Sequence, residues 1–115
     1  MITEKTQALE IIKNGTRDDL MLLPLSLGEH FPDWKFAQDI CIELAKSEDA
    51  AVRANAVLGL AYVARTKGVL EKYLVKPIIL KELNENFEYK WRIEDSISDI
   101  NVFLKWNLTY ESFKQ

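Results

Sequence analysis

Apolar residues recur along most of this chain at intervals of three and four, which is the period of one face of an α-helix. Alternation of apolar and polar residues, the pattern of a half-buried strand, is nearly absent. The sequence therefore predicts an all-α fold. The buried stripes expected in three of its helices are Phe36, Ile40 and Leu44; Val52, Ala56, Leu60 and Val63; and Ile93, Ile97, Ile100 and Leu104.

Turn and capping signals divide the first part of the chain into two helices. Thr3 is expected to cap a helix that has Leu9 on its apolar face and ends at residues 14–15, Asn-Gly. Thr16, followed three residues later by Asp19, resembles a capping box and predicts a second helix. Pro24 should kink or restart that helix. Residues 28–32 are expected to form a loop.

The same signals predict four further helices. Asp33 should cap a helix from Trp34 to about residue 46, and Asp49 or Ser47 should cap the next, which ends near Gly68. A fifth helix is expected over 70–83, with a break near Pro77, and a sixth over about 88–106. Residues after 107 are expected to form a loose tail; the alternative is that Tyr110 and Phe113 fold back as a cap.

The chain also repeats itself weakly. A shift of 39 residues aligns Ile40 with Ile79, Glu43 with Glu82, Arg53 with Arg92, and Val63 with Val102. Solenoid proteins built from helix pairs have periods of about 40–47 residues. The six helices therefore form three predicted hairpins, at about 3–30, 33–67 and 70–106, with a tail at 107–115. A chain of 115 residues, 48% of them hydrophobic, fits one domain that spans 1–115.

The segment that opens the fourth helix resembles a known repeat. Asp49-x-x-Val52-Arg53, which runs into an Ala-rich stretch with Asn55 and Gly59, resembles the second helix of a HEAT repeat. The resemblance implies a HEAT-like α-solenoid of about three helical hairpins that presents a surface to a partner. Together with Asp33-Trp34, residues 38–41, Arg92-x-x-Asp95 and Asp99-Ile100, it resembles small bacterial HEAT-like proteins, over about residues 16–105.

Some of those proteins resemble immunity proteins of contact-dependent growth inhibition and other polymorphic toxin systems. The resemblance therefore implies a toxin inhibitor that binds a cognate toxin domain, expected to be a basic nuclease, as a monomer in a 1:1 complex. The alternative is a HEAT-type adaptor that binds another protein or a peptide. Trp91 at the position of Val52, and the absence of Asp-x-x-Val-Arg from the first hairpin, depart from the pattern.

In a HEAT stack the second helix of each hairpin lines the concave surface, which predicts where a partner binds. The polar faces of the fourth and sixth helices are the expected site. Its predicted partner-binding residues are Arg53, Asn55, Gly59, Tyr62, Arg92, Glu94, Asp95, Ser98 and Asp99. Five acids against two bases in residues 85–99 make this region acidic, which would steer a basic protein towards it. An ordinary solvated face is the competing interpretation.

Residues with catalytic potential have simpler explanations. His30 is the only histidine and lacks the companions of a metal site, so an ordinary loop or helix-end histidine is favoured. Cys41 lies between two isoleucines and is expected to be a small buried hydrophobe. Asp95 and Asp99 share a helical face with Arg92, and an intrahelical ion pair is favoured over acid–base catalysis or Mg²⁺ binding. The three tryptophans are expected to be core residues.

Charge and motifs limit the remaining function classes. The net charge of −3 argues against a general nucleic-acid binder, which would need a basic footprint. A glycosylase-like role would require a basic groove, and the bases of 65–81 are expected on the convex face. No catalytic or phosphate-binding motif is present, so neither enzyme activity nor a cofactor or metal is predicted. A single cysteine and no signal-peptide or membrane-span pattern predict a cytoplasmic protein.

Overall fold

The computed structural model describes residues 2–109. Six α-helices occur in this part of the chain, in the order α1 (Lys5–Asn14), α2 (Arg17–His30), α3 (Trp34–Leu44), α4 (Ala50–Lys67), α5 (Lys72–Glu85) and α6 (Lys90–Leu104), with no β-strand among the described residues. They form one compact globule with a radius of gyration of 13.1 Å. The predicted all-α fold with six helices in three hairpins is confirmed.

Helix α4 is the centre of the fold. It packs against α2, α3, α5 and α6, and its contact with α2 is the most extensive in the molecule. The second helices of the three hairpins, α2, α4 and α6, therefore lie side by side. The predicted α4 stripe of Val52, Ala56, Leu60 and Val63 is buried, and small residues elsewhere on the helix let several neighbours approach it at once.

Local capping signals place most helix ends where the sequence predicts them. Thr16 and Asp19 form a reciprocal capping box at the start of α2. The side chains of Asp33 and Asp49 accept backbone hydrogen bonds at the starts of α3 and α4. Gly68, with a φ of 68°, ends α4 in the left-handed conformation that glycine adopts without steric cost.

Several predicted boundaries are wrong. The N-cap of α1 is Glu4, because Gln7 accepts hydrogen bonds from the backbone amides of Thr3 and Glu4. Helix α2 continues through Pro24 to His30, so residues 28–30 are helical and not a loop. Helix α5 also runs through Pro77 without a break.

Side chains near both ends of the chain also depart from the predictions. Leu9 is 51% exposed, and Ala8 takes the buried position of α1. Leu108, in the predicted loose tail, is buried and exchanges two hydrogen bonds with the Asn101 side chain, of 2.8 and 2.9 Å. Tyr110 and Phe113 lie outside the described residues.

Ion pairs connect the first turn of one helix to the N-cap of the equivalent helix in the next hairpin. Lys5 Nζ lies 2.8 Å from Asp33 Oδ2, and Lys35 pairs in the same way with Glu71. Arg17 pairs with Asp49 between α2 and α4. The partner cation is the main reason that the pKa of each of these three carboxyl groups is lowered.

These lowered pKa values predict acid sensitivity. A carboxyl group whose pKa is lower in the folded chain stabilises the fold above its ordinary pKa, and this contribution is lost as the pH falls through the folded value. We therefore expect the urea midpoint to fall progressively as the pH is lowered from about 5 to about 3.

The variant Arg17→Gln, which removes the partner of Asp49, should have a lower midpoint near neutral pH and a shallower decline towards acid. Added salt should reduce the difference between the two proteins, because these pairs are partly exposed. Parallel pH profiles for the two proteins would show that the Arg17–Asp49 pair does not contribute to the acid response.

Candidate protein-binding surface

The structure buries two of the predicted partner-binding residues. Asn55 is 5% exposed: its Nδ2 donates to the backbone oxygen of Met21 at 2.9 Å, and its Oδ1 accepts from Arg92 Nη1 at 2.7 Å. Gly59 is also buried and lies where α4 meets Pro24 of α2. Both therefore join helices, and the predicted open face of α4 is wrong at these positions.

Arg53 also has a structural role. Its Nε lies 3.1 Å from Glu82 Oε1, and its Nη1 donates to the backbone oxygens of Ser47 and Glu48 at 2.9 and 3.0 Å. The guanidinium thus forms hydrogen bonds both to the turn before α4 and to helix α5. Arg53 of the Asp-x-x-Val-Arg segment therefore bonds to the turn of its own hairpin and, through Glu82, to the next hairpin.

Tyr62 remains half-buried at the edge of the contact between α2 and α4. The guanidinium of Arg65 lies 4.6 Å from the centre of its ring, and the Arg65 Nη2 lies 3.8 Å from Glu29 Oε1 on α2. The Arg65 guanidinium therefore covers part of the Tyr62 ring that a partner would contact.

The predicted residues of α6 are the ones that reach the surface. Glu94, Asp95 and Ser98 are exposed and Asp99 is half-buried. Arg92 is half-buried and crosses to Asn55 on α4, so the intrahelical ion pair expected with Asp95 is replaced by a contact between helices. The exposed part of the predicted site is therefore concentrated on one helix.

Sequence reasoning missed the apolar residues of this surface. Trp91, expected in the core, is 65% exposed, and Val102 is 62% exposed. Positions 91, 95, 98 and 102 follow helical spacing on the side of α6 away from the buried Ile93, Ile97 and Ile100. That spacing was the available signal, since it assigns Trp91 to the side opposite the isoleucine stripe.

Exposed apolar side chains are concentrated in the last hairpin. Among the described residues, the large hydrophobic side chains that are clearly exposed in α5, α6 and the turn between them are Tyr73, Leu74, Phe87, Trp91, Val102 and Phe103, whereas only Leu9 and Leu22 are so exposed elsewhere. An open depression of about 210 Å³ in the same hairpin is lined in part by Glu94, Ser98 and Leu108. Clustered exposed apolar surface is typical of interaction sites.

Residues 85–99, from the end of α5 into α6, are the acidic stretch of this hairpin, although 70–106 as a whole contains seven acids and six bases. Residues 85–99 contain five acids and two bases, a net charge of −3, and the whole chain also has a net charge of −3. The other 100 residues therefore carry 13 acids and 13 bases and are neutral as a set. Within the last hairpin, attraction of a basic partner is therefore expected at residues 85–99.

Cys41 and His30 have the predicted simple environments. Cys41 is fully buried, and burial raises the pKa of its thiol far above its ordinary value. His30 is the exposed last residue of α2, with Nε2 at 3.8 Å from Glu29 Oε2. Residues 2–109 contain no group of three or more side chains placed to hold a metal ion. None of the described helices combines the length and apolar character that a membrane crossing requires.

The chain matches no protein-family model, no curated protein and no solved structure. The exposed apolar residues of the last hairpin and the acidic stretch at residues 85–99 are therefore the structural features that bear on function.

Proposed function

We propose that this chain is a protein-binding scaffold, and specifically an immunity protein that neutralises a cognate bacterial toxin domain by occupying part of its surface. The observation that carries the protein-binding role is the concentration of exposed apolar residues on the last hairpin, beside the acidic stretch at residues 85–99. The resemblance of residues 16–105 to small bacterial HEAT-like proteins, some of which resemble immunity proteins, supports the choice of a toxin as partner.

The proposed inhibition needs no chemical step. A rigid scaffold that covers an active site, or the path by which substrate reaches it, inhibits as long as it stays bound. Affinity in such complexes comes from a few desolvated anchor residues, among which tryptophan is enriched. Trp91 is the candidate anchor, since its exposed side chain would lose contact with water when a partner covers it.

The charge of the surface favours a basic toxin domain, such as a nuclease that binds a polyanion. Carboxylates around an interface accelerate encounter with a basic partner and select against acidic ones. On this proposal the two proteins form a 1:1 complex in the cytoplasm, where the toxin would otherwise act. A HEAT-type adaptor for another protein is the alternative.

The test is co-expression with the C-terminal domain encoded immediately upstream of this gene, followed by affinity purification and a growth-protection assay. A stable complex that restores growth supports the immunity function. If the two proteins neither associate nor restore growth, the immunity proposal fails and the adaptor becomes the leading interpretation.

Charge reversal on α6 should weaken that complex. We expect Asp95→Lys combined with Asp99→Lys to slow association by about tenfold or more at low salt, with a smaller effect at high salt. Association rates from surface plasmon resonance at several salt concentrations would measure this. The control, Glu43→Lys with Glu48→Lys, changes the net charge equally at exposed positions outside this surface. Equal slowing by both pairs would rule out a localised acidic interface.

A further inference from the structure

The exposed side of α6 has a regular order of side chains. Trp91, Asp95, Ser98 and Val102 follow each other at intervals of four, three and four residues, and all four are exposed. We call these four residues the α6 ridge. At 1.5 Å per residue it is about 16 Å long, or three helical turns. Its two ends are apolar and its middle carries a carboxylate and a hydroxyl group.

A straight ridge of this kind matches the surface of another helix. Side chains spaced by three and four residues pack into the grooves between the side chains of a second helix. The fold already contains two contacts between second helices, since α2 lies against α4 and α4 against α6. Of the three second helices, α4 has two such neighbours, whereas α6 has one within the described chain and keeps its ridge in solvent.

Charge determines which kind of helix fits. Within the last hairpin, residues 85–99 have a net charge of −3, with five acids and two bases. Asp95 lies in the middle of the ridge and Asp99 one turn further along α6. An acidic helix would bring like charges together there, which costs free energy, whereas lysine or arginine side chains would pair with the carboxylates.

From this geometry we infer that the α6 ridge docks a basic amphipathic helix of about three turns. Its apolar residues contact Trp91 and Val102 at the two ends, and its lysine or arginine residues lie opposite Asp95. The inference deepens the proposed function, on which it rests for the premise that the partner is a protein, because it specifies the structural element and the chemistry that the partner presents.

The first experiment uses synthetic peptides and not the toxin. One peptide is an amphipathic helix of about 18 leucine and lysine residues, a length at which an isolated helix begins to be stable, and the second replaces every lysine with glutamate. Each is titrated into the ¹⁵N-labelled chain. We expect the lysine peptide to shift amide signals along α6, and the glutamate peptide to leave them unchanged.

Variants then locate the contact. Trp91→Ala combined with Val102→Ala should weaken binding of the lysine peptide by at least about tenfold, because tryptophan anchors dominate such interfaces. The control, Leu9→Ala with Leu22→Ala, removes exposed apolar side chains in the first hairpin and should leave binding unchanged. Asp95→Lys should also weaken binding, and its NMR spectrum should remain that of a folded protein.

Three results would overturn the inference: shifts confined to other helices, equal binding of the glutamate peptide, or unchanged affinity in the ridge variants. Failure here is distinct from failure of the immunity function. Growth protection that survives Trp91→Ala with Val102→Ala counts against the ridge alone. Peptide binding at the ridge without any growth protection counts against the toxin partner alone.

Discussion

Replacement of Arg53 with alanine is expected to lower the free energy of unfolding by about 3–5 kcal/mol, because it leaves a buried charge without its partner. The Glu82 carboxylate is 3% exposed and lies 3.1 Å from Arg53 Nε. Without the guanidinium, the carboxylate keeps the hydrogen bond that it accepts from the side-chain amide of Asn86, at 3.0 Å. Urea unfolding followed by circular dichroism would measure the change.

The effect should exceed that of an ordinary surface ion pair for a second reason. Arg53 also donates to the backbone oxygens of Ser47 and Glu48, which lie in the turn between α3 and α4. The substitution therefore removes hydrogen bonds to two carbonyl groups as well as the ion pair. Hydrogen bonds that involve a charged group contribute about 1.5–3 kcal/mol each.

Two comparisons separate the buried charge from other causes. Lys46→Ala removes the exposed pair with Glu43 and should change the free energy of unfolding by less than about 1 kcal/mol. Arg53→Met combined with Glu82→Leu removes both charges and should recover much of the loss, because an apolar pair needs no partner. If the double variant is as unstable as Arg53→Ala, the unpaired carboxylate is not the cause.

Local signals in the sequence were sufficient to predict most of the helical framework. Thr16, Asp33 and Asp49 satisfy amide groups within a few residues of themselves, so their capping roles follow from the sequence without knowledge of the fold. The same is true of Gly68, whose left-handed conformation ends α4. Such features depend on short-range geometry, which a single sequence records directly.

Features that depend on contact between hairpins were predicted poorly. The alignment by 39 residues treats Arg53 and Arg92 as equivalent, yet Arg53 reaches forward to Glu82 and Arg92 reaches back to Asn55. A repeat within the stack has neighbours on both sides, whereas the last described hairpin has one. That difference also explains why Val52 is buried and the aligned Trp91 is exposed.

The interpretation of Asn55 and Gly59 as a polar face failed for a related reason. A polar side chain on a helix is usually expected to face solvent. The Asn55 side chain instead donates to the backbone oxygen of Met21 and accepts from Arg92, both within the fold. Gly59 has no side chain, so helix α2 approaches α4 closely at this position. Neither outcome is visible from periodicity, because both depend on which helix becomes the neighbour of α4.

The close approach of α2 and α4 gives the second large prediction. A Cβ atom added at Gly28 would lie 2.5 Å from the backbone oxygen of Gly59 and 2.9 Å from Tyr62 Cβ. One added at Gly59 would lie 2.7 Å from the backbone oxygen of Pro24 and 2.8 Å from Cys41 Sγ. Real Cβ atoms do not occur at such distances, so either substitution must push the two helices apart.

We expect Gly28→Ala and Gly59→Ala each to destabilise the chain, although alanine is the better helix former. The gain in helix propensity is about 1 kcal/mol, whereas an extra group forced into a packed interior costs about 1–3 kcal/mol and at times more. The obstacle at both sites is backbone, which cannot rotate away as a flexible side chain can. The steric cost should therefore exceed the propensity gain, as thermal unfolding would show.

The double substitution distinguishes this mechanism from a general loss of helix packing. Once one alanine has separated α2 from α4, the second meets a gap that already exists, so the combined loss should be smaller than the sum of the two single losses. Ser98→Ala, at an exposed position of α6, is the control and should change stability by less than about 0.5 kcal/mol. Additive losses from Gly28→Ala and Gly59→Ala would mean that the two glycines act at separate contacts. The close approach of α2 and α4 would then not depend on the absence of both side chains together.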